Sequence, residues 1–129
     1  MGSAVIKALD MIEARKVLYK ENGISYYRPW VFLITDGAPY GEDEAIFEEA
    51  IRRVHADEQE QRVAFFGVGV ESAADMAALG RLCVRAPLKL KGLRFVDMFL
   101  WLAGTTKKVT ANQVNEMVVL PPPDGWGTL

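Results

Sequence analysis

The chain has 129 residues, of which half are hydrophobic and a quarter are charged, and its formal net charge is −2. This length suits one folded domain, and the composition excludes a largely disordered chain. The positive charges form no basic stripe, so we expect no nucleic-acid partner. The densest positive cluster, formed by Lys89, Lys91 and Arg94, is interpreted as a solvated rim.

The first residues do not have the pattern of a signal peptide, because Lys7 and Asp10 interrupt the apolar positions. No apolar run approaches the roughly 20 residues needed to span a bilayer, so we expect no membrane partner. Cys83 is the single cysteine, which excludes an internal disulfide. Together these features predict a cytoplasmic protein.

The first half of the chain alternates helical and strand patterns. An amphipathic spacing predicts a helix over Ser3–Lys20. Trp30–Ile34 is apolar at every position, which predicts a strand buried on both faces of a parallel sheet. A second helix is predicted over Glu42–His55.

The second half continues the alternation. Arg62–Val68 is predicted to be a buried strand, and the glycines at its end indicate close approach of another segment. A helix follows, then a short strand over Pro87–Leu90 and an apolar helix over Phe95–Leu102, which should be largely buried. Met117–Leu120 fits either a short strand or an extended segment, and the sequence does not decide whether Trp126 docks.

This order of elements predicts an α/β fold of the Rossmann-like, three-layer type. It should have a parallel sheet of about three strands with helices on both faces. If the strands lie in chain order, both crossover helices cover one face, and the last helix is free to cover the other. We expect one partial domain over residues 1–106 and a C-terminal tail over residues 107–129.

Asp36 is the residue that we expect to carry the function. It follows the buried strand Trp30–Ile34 directly, and ligands of open α/β sheets bind beyond the carboxyl ends of the strands. A carboxylate held there suits a hard cation such as Mg²⁺, and Mn²⁺ or Ca²⁺ would use similar ligands. The alternative, equally compatible with the spacing, is that Asp36 only caps its own turn.

Four segments resemble the bacterial von Willebrand factor type A domain: 30–39 (WVFLITDGAP), 65–69 (FFGVG), 88–95 (LKLKGLRF) and 99–102 (FLWL). The subgroup is the cytoplasmic one that includes tellurite-resistance-associated proteins, which implies a stress-response context. The resemblance implies a six-stranded sheet with a metal-ion-dependent adhesion site, at which a carboxylate of a partner protein completes the coordination of the metal.

The resemblance maps only one element of that adhesion site, the aspartate of Thr35-Asp36-Gly37, onto this chain. An Asp-x-Ser-x-Ser segment is absent from the sequence. Glu42 and Asp43, in the adjacent loop, are candidates for accessory metal or partner contacts, together with Thr35 and Gly37. One certain carboxylate should bind Mg²⁺ only weakly, because Mg²⁺ requires near-ideal octahedral geometry.

The chain therefore resembles the second half of such a domain, and two functional hypotheses follow. The first is a metal-ion-dependent protein-binding module with an incomplete metal site. The second is a truncated or split-domain fragment that has no independent activity without its other half. In either case strand 30–34 should be an exposed apolar edge that favours self-association.

An enzyme is the least favoured class. Gly67 and Gly69 lack the third glycine of a dinucleotide-binding fingerprint, because position 72 is serine, and no Walker-type motif occurs. The one histidine, His55, is expected on the surface without a nucleophile partner, so we expect no catalytic site.

Overall fold

The computed structural model describes residues 1–70, 74–113, 118–123 and 125–128. Within these ranges it contains four helices and four strands. In chain order the elements are α1 (Gly2–Glu21), β1 (Trp30–Thr35), α2 (Glu44–Gln59), β2 (Ala64–Gly69), α3 (Met76–Leu82), β3 (Leu88–Leu90), α4 (Phe95–Thr110) and β4 (Gly127–Thr128). The predicted α/β class is confirmed.

The strands form one sheet in the order β1-β2-β3-β4. The first three strands are parallel, with Trp30 opposite Ala64 and Val68 opposite Leu88, and β4 is antiparallel to β3. β2 is buried at every position because it is central and both of its faces are covered. β1 lies at the edge of the sheet.

One face of the sheet is covered by α1, α2 and α3. Apolar residues from all three helices pack there against Val63 and Phe65; they include Val5, Leu9, Phe47, Val54, Ala78 and Leu82. Glycines of β2 permit this approach, since a Cβ on Gly67 would lie 2.6 Å from the Cys83 sulfur. The expected close approach at the end of β2 is thus confirmed.

The other face is covered by α4 only in part. Met98 is buried there against Val68 and Leu90, and both crossover helices lie on the opposite face, as expected for strands in chain order. The prediction that α4 is largely buried was wrong: Phe99 is 54 % exposed and Leu100 is 66 % exposed. A single helix on that face buries one side of itself and leaves the other in solvent.

β1 is less buried than the sequence predicted. Five of its residues are half-buried, and Ile34 is 39 % exposed. The prediction of burial on both faces was wrong because an edge strand has a neighbour on one side only, and because a groove leaves the sheet face that carries Trp30 partly uncovered. The strand is therefore the exposed apolar edge that both functional hypotheses led us to expect.

The C-terminal segment contributes to the core. Trp126 is 0 % exposed and packs beside Trp101, with ring centroids 5.3 Å apart. Its carbonyl oxygen accepts a hydrogen bond from the Lys91 backbone at 2.8 Å, next to β4. The described part of the segment 117–120, residues 118–120, is not a strand, and α4 continues to Thr110, beyond the boundary expected at residue 106.

None of the helices in these described ranges has the length and hydropathy of a membrane-spanning segment.

Candidate functional site

Asp36 is the first residue beyond β1 and is exposed at the carboxyl-end rim of the parallel strands. The backbone on both sides of it is fixed by hydrogen bonds. The Thr35 carbonyl oxygen accepts from the Val70 backbone at 2.8 Å, and the Gly37 backbone donates to the Thr35 hydroxyl at 3.2 Å. The sheet therefore fixes the backbone from which the Asp36 carboxylate projects into solvent.

The Asp36 carboxylate makes no hydrogen bond or ion pair with any described residue. A carboxylate that only capped its own turn would accept a hydrogen bond from a nearby backbone N–H. In this turn the Thr35 hydroxyl makes that contact instead. Asp36 thus presents an unused acceptor at the rim where ligands of parallel α/β sheets bind.

Glu42 has a structural role that the sequence did not reveal. Its carboxylate accepts hydrogen bonds from the Gly2 backbone at 2.6 Å, from the Ser3 backbone at 2.8 Å and from the Ser3 hydroxyl at 2.7 Å. These donors, above all the Ser3 backbone N–H, lower the pKa of Glu42 to about 2. Glu42 therefore caps α1 from outside the helix, by accepting from its first two N–H groups, although it lies forty residues away in the chain and the N-cap residue itself is Met1.

The other rim carboxylates also cap helices. Asp43 is the N-cap of α2, and its side chain accepts from the Ala45 backbone at 3.0 Å. Asp75 is the N-cap of α3 and accepts from the Ala78 backbone at 2.9 Å. Each of these bonds satisfies a helix N–H that would otherwise have no partner.

The described residues do not form a complete cation site. No group of three or more histidine, cysteine, aspartate or glutamate side chains in those ranges is arranged to hold a metal ion. Asp36 is available, whereas Glu42 and Asp43 are engaged by helix ends. One free carboxylate does not supply the geometry that Mg²⁺ requires, so this donor set alone does not fit the metal.

Thr35 and Gly37 shape the turn that carries Asp36. The Thr35 hydroxyl contacts both the N–H and the carbonyl oxygen of Gly37. Gly37 does not adopt a positive φ, and a Cβ at this position would meet nothing within 4 Å. The turn is therefore compatible with other small residues, and glycine is not required for it.

The open edge of β1 borders the same rim. The carbonyl oxygen of Pro29 accepts a hydrogen bond from the backbone N–H of Ala64, the first residue of β2. The carbonyl oxygen of Thr35 accepts one from Val70, the residue after β2. Because backbone groups alternate in direction along a strand, those of Trp30, Phe32 and Ile34 point away from β2. Among the described residues no strand pairs with this edge.

The sequence interpretation missed a buried charge cluster at the opposite end of the strands. The Glu58 carboxylate, 4 % exposed, accepts from Arg28 at 2.7 Å and from Arg85 at 3.1 Å. It also accepts from the Phe65 backbone at 2.7 Å. A signal was present, because Glu58 lies four residues after Val54 on the buried stripe of α2 and so required a charged partner.

Other charged residues lie where the sequence placed them. His55 is exposed, and its ring nitrogen lies 3.1 Å from the Arg81 carbonyl oxygen. Lys89, Lys91 and Arg94 are exposed, as expected for a solvated rim.

Comparison of the chain with protein-family models, with curated proteins and with solved structures gave no match.

Proposed function

We propose that this chain is a protein-binding module in which Asp36 contributes one ligand to a divalent-cation site that a second polypeptide segment completes. The observation that carries the proposal is the unpaired, exposed carboxylate of Asp36 at the carboxyl-end rim. The resemblance of segment 30–39 to von Willebrand factor type A domains supports the same proposed function. Mg²⁺ is the expected ion, with Mn²⁺ or Ca²⁺ as substitutes.

The partner must supply oxygen ligands, because Glu42, Asp43 and Asp75 are engaged by helix ends and Asp36 is left as the available carboxylate among these described rim residues. A carboxylate of the partner protein has the chemistry required, since hard cations prefer oxygen ligands. The chain alone should therefore bind the ion weakly, and a bound partner should strengthen that binding. By linkage, the ion should strengthen partner binding by the same factor.

Calorimetric titration with Mn²⁺ tests the site on the chain alone. We expect weak binding, at millimolar concentrations, that disappears in Asp36→Asn. The matched control is Asp10→Asn, which removes an exposed carboxylate on α1 that pairs with Arg53. Binding that survives in Asp36→Asn would remove the site assignment.

A second candidate function is favoured by the open edge of β1. In this alternative the chain is one half of a split domain and has no independent activity until a strand from its other half pairs with β1. The outward backbone groups of Trp30, Phe32 and Ile34 provide the hydrogen bonds for such pairing. Absence of Mn²⁺ binding at millimolar concentration would favour this alternative over the first.

The edge is tested by comparing Ile34→Pro with Ile34→Ala in sedimentation velocity. The backbone N–H of Ile34 points away from β2, so proline removes an edge donor without breaking the β1–β2 ladder. We expect the unmodified chain and Ile34→Ala to self-associate and Ile34→Pro to do so less. A monodisperse, folded monomer at all concentrations would contradict the edge-pairing expectation.

A further inference from the structure

The partly covered face of the sheet forms a groove of about 610 Å³ at the amino ends of β1 and β2. Its walls include Trp30, Phe66, Arg28, Arg85 and Val109. Binding sites for small molecules are typically concave, apolar and roughly 300–1,000 Å³ in volume, with a few convergent polar groups. β1 separates this groove from Asp36 by about 17–20 Å, at roughly 3.3 Å for each residue, so the two sites are distinct.

The floor of the groove is an aromatic cluster. The rings of Trp30 and Phe66 meet edge to face at 5.7 Å, and Phe66 stacks on Phe32 at 4.7 Å. Trp30 is half-buried, so part of its indole remains open to solvent. A flat apolar group laid against the exposed part of Trp30 would gain both burial and a ring contact, while Phe66 is buried and supports Trp30 from beneath.

One wall of the groove carries an excess positive charge. The side chains of Arg28 and Arg85 are 31 % and 42 % exposed and share the single buried carboxylate of Glu58. Within the part of the chain that the structure describes, these two guanidinium groups and this carboxylate leave a net charge of about +1. In both arginines the contacts use Nε and Nη2, and Nη1 has no partner among the described residues.

We propose that this groove binds a small organic anion with a flat aromatic body and one carboxylate. The ring would lie against the exposed part of Trp30, and the carboxylate would accept from the unused N–H groups of Arg28 and Arg85. The Arg85 guanidinium already lies over the buried Phe66 ring. A charge-assisted bond to a guanidinium is stronger and more directional than a neutral one. The uncompensated charge favours an anion over a neutral molecule of the same shape.

The probe is 2-naphthoate, compared with neutral 2-naphthamide, by calorimetry on the whole chain. We expect saturable binding of naphthoate and binding of naphthamide that is at least about tenfold weaker, because the neutral amide has no negative charge to pair with the guanidinium groups. In ¹⁵N spectra the Trp30 indole signal, identified by its absence in Trp30→Leu, should shift with naphthoate. The calorimetric comparison of the two probes requires no variant.

Variants locate the site. Arg85→Gln should weaken naphthoate binding at least about tenfold and leave naphthamide binding unchanged, because Glu58 retains Arg28 and the Phe65 N–H. Arg81→Gln is a matched control: that guanidinium also pairs with glutamates and lies 5.3 Å from the centre of a phenylalanine ring, compared with 5.4 Å for Arg85. Three results would overturn the proposal. They are a lack of saturable naphthoate binding, equal binding of naphthoate and naphthamide, and a loss of naphthoate binding in Arg81→Gln equal to that in Arg85→Gln.

Discussion

Replacing Glu42 by glutamine tests whether this carboxylate is a helix cap or a metal ligand. The fall of its pKa from 4.5 to about 2 corresponds to at most about 3.5 kcal/mol, at roughly 1.4 kcal/mol for each pKa unit. Solvent screening near the surface reduces this figure, so we expect Glu42→Gln to lower the free energy of unfolding by about 1–2 kcal/mol at pH 7. Urea denaturation followed by circular dichroism measures this loss.

The lowered pKa of Glu42 also determines how its contribution to stability changes with pH. The folded state holds Glu42 ionised more strongly than the unfolded state, so its stabilisation is complete above about pH 4.5 and is lost as the pH falls toward about 2. The difference between the unmodified chain and Glu42→Gln should therefore shrink over that interval. Glu44→Gln, two residues away on the exposed first turn of α2, is the matched control.

Two results would refute the capping role of Glu42. One is equal stability of Glu42→Gln and the unmodified chain at pH 7. The other is stabilisation by millimolar Mg²⁺ that is present in the unmodified chain and absent in Glu42→Gln, since a ligand stabilises the state that binds it.

Three further predictions concern packing. Gly67→Ala should lower the free energy of unfolding by about 1–3 kcal/mol, because the new Cβ would lie 2.6 Å from the Cys83 sulfur. Gly80→Ala should not lower it, because a Cβ there would meet nothing within 4 Å. Denaturant unfolding compares the two variants. Gln61→Gly should stabilise by about 0.5–1 kcal/mol in a thermal melt, since φ at Gln61 is 56°. Burial raises the pKa of Cys83 to about 11, so its thiol should react with iodoacetamide at pH 8 only after unfolding.

Three results would contradict these predictions. They are rapid modification of the Cys83 thiol in the folded protein, equal stability of Gly67→Ala and Gly80→Ala, and a lower melting temperature in Gln61→Gly.

The sequence predicted the elements well where periodicity reports burial directly. The amphipathic spacing of Val5 and Leu9 predicted α1, and the apolar run of β2 predicted a strand buried on both faces, which it is. The run Trp30–Ile34 looks the same in sequence, yet it lies at the edge. Whether an apolar strand is covered depends on its neighbours in space, and local pattern does not contain that information.

The candidate site was predictable in position but not in composition. The chain position of Asp36 after an apolar run was sufficient to place it at the rim, because strand ends converge in a parallel sheet. The capping role of Glu42 was not predictable, since it depends on α1 docking beside a loop forty residues away. The pairing of Glu58 with Arg28 and Arg85 depends on tertiary packing in the same way, although the place of Glu58 on a buried stripe indicated that a partner was needed.

Paramagnetic broadening of backbone amide signals by Mn²⁺ is the most direct test of the proposal that Asp36 carries the function. We expect low Mn²⁺ concentrations to broaden the signals of Asp36 and Gly37 first, and Asp36→Asn to abolish this effect. Broadening centred on another part of the chain, or unchanged broadening in Asp36→Asn, would contradict it.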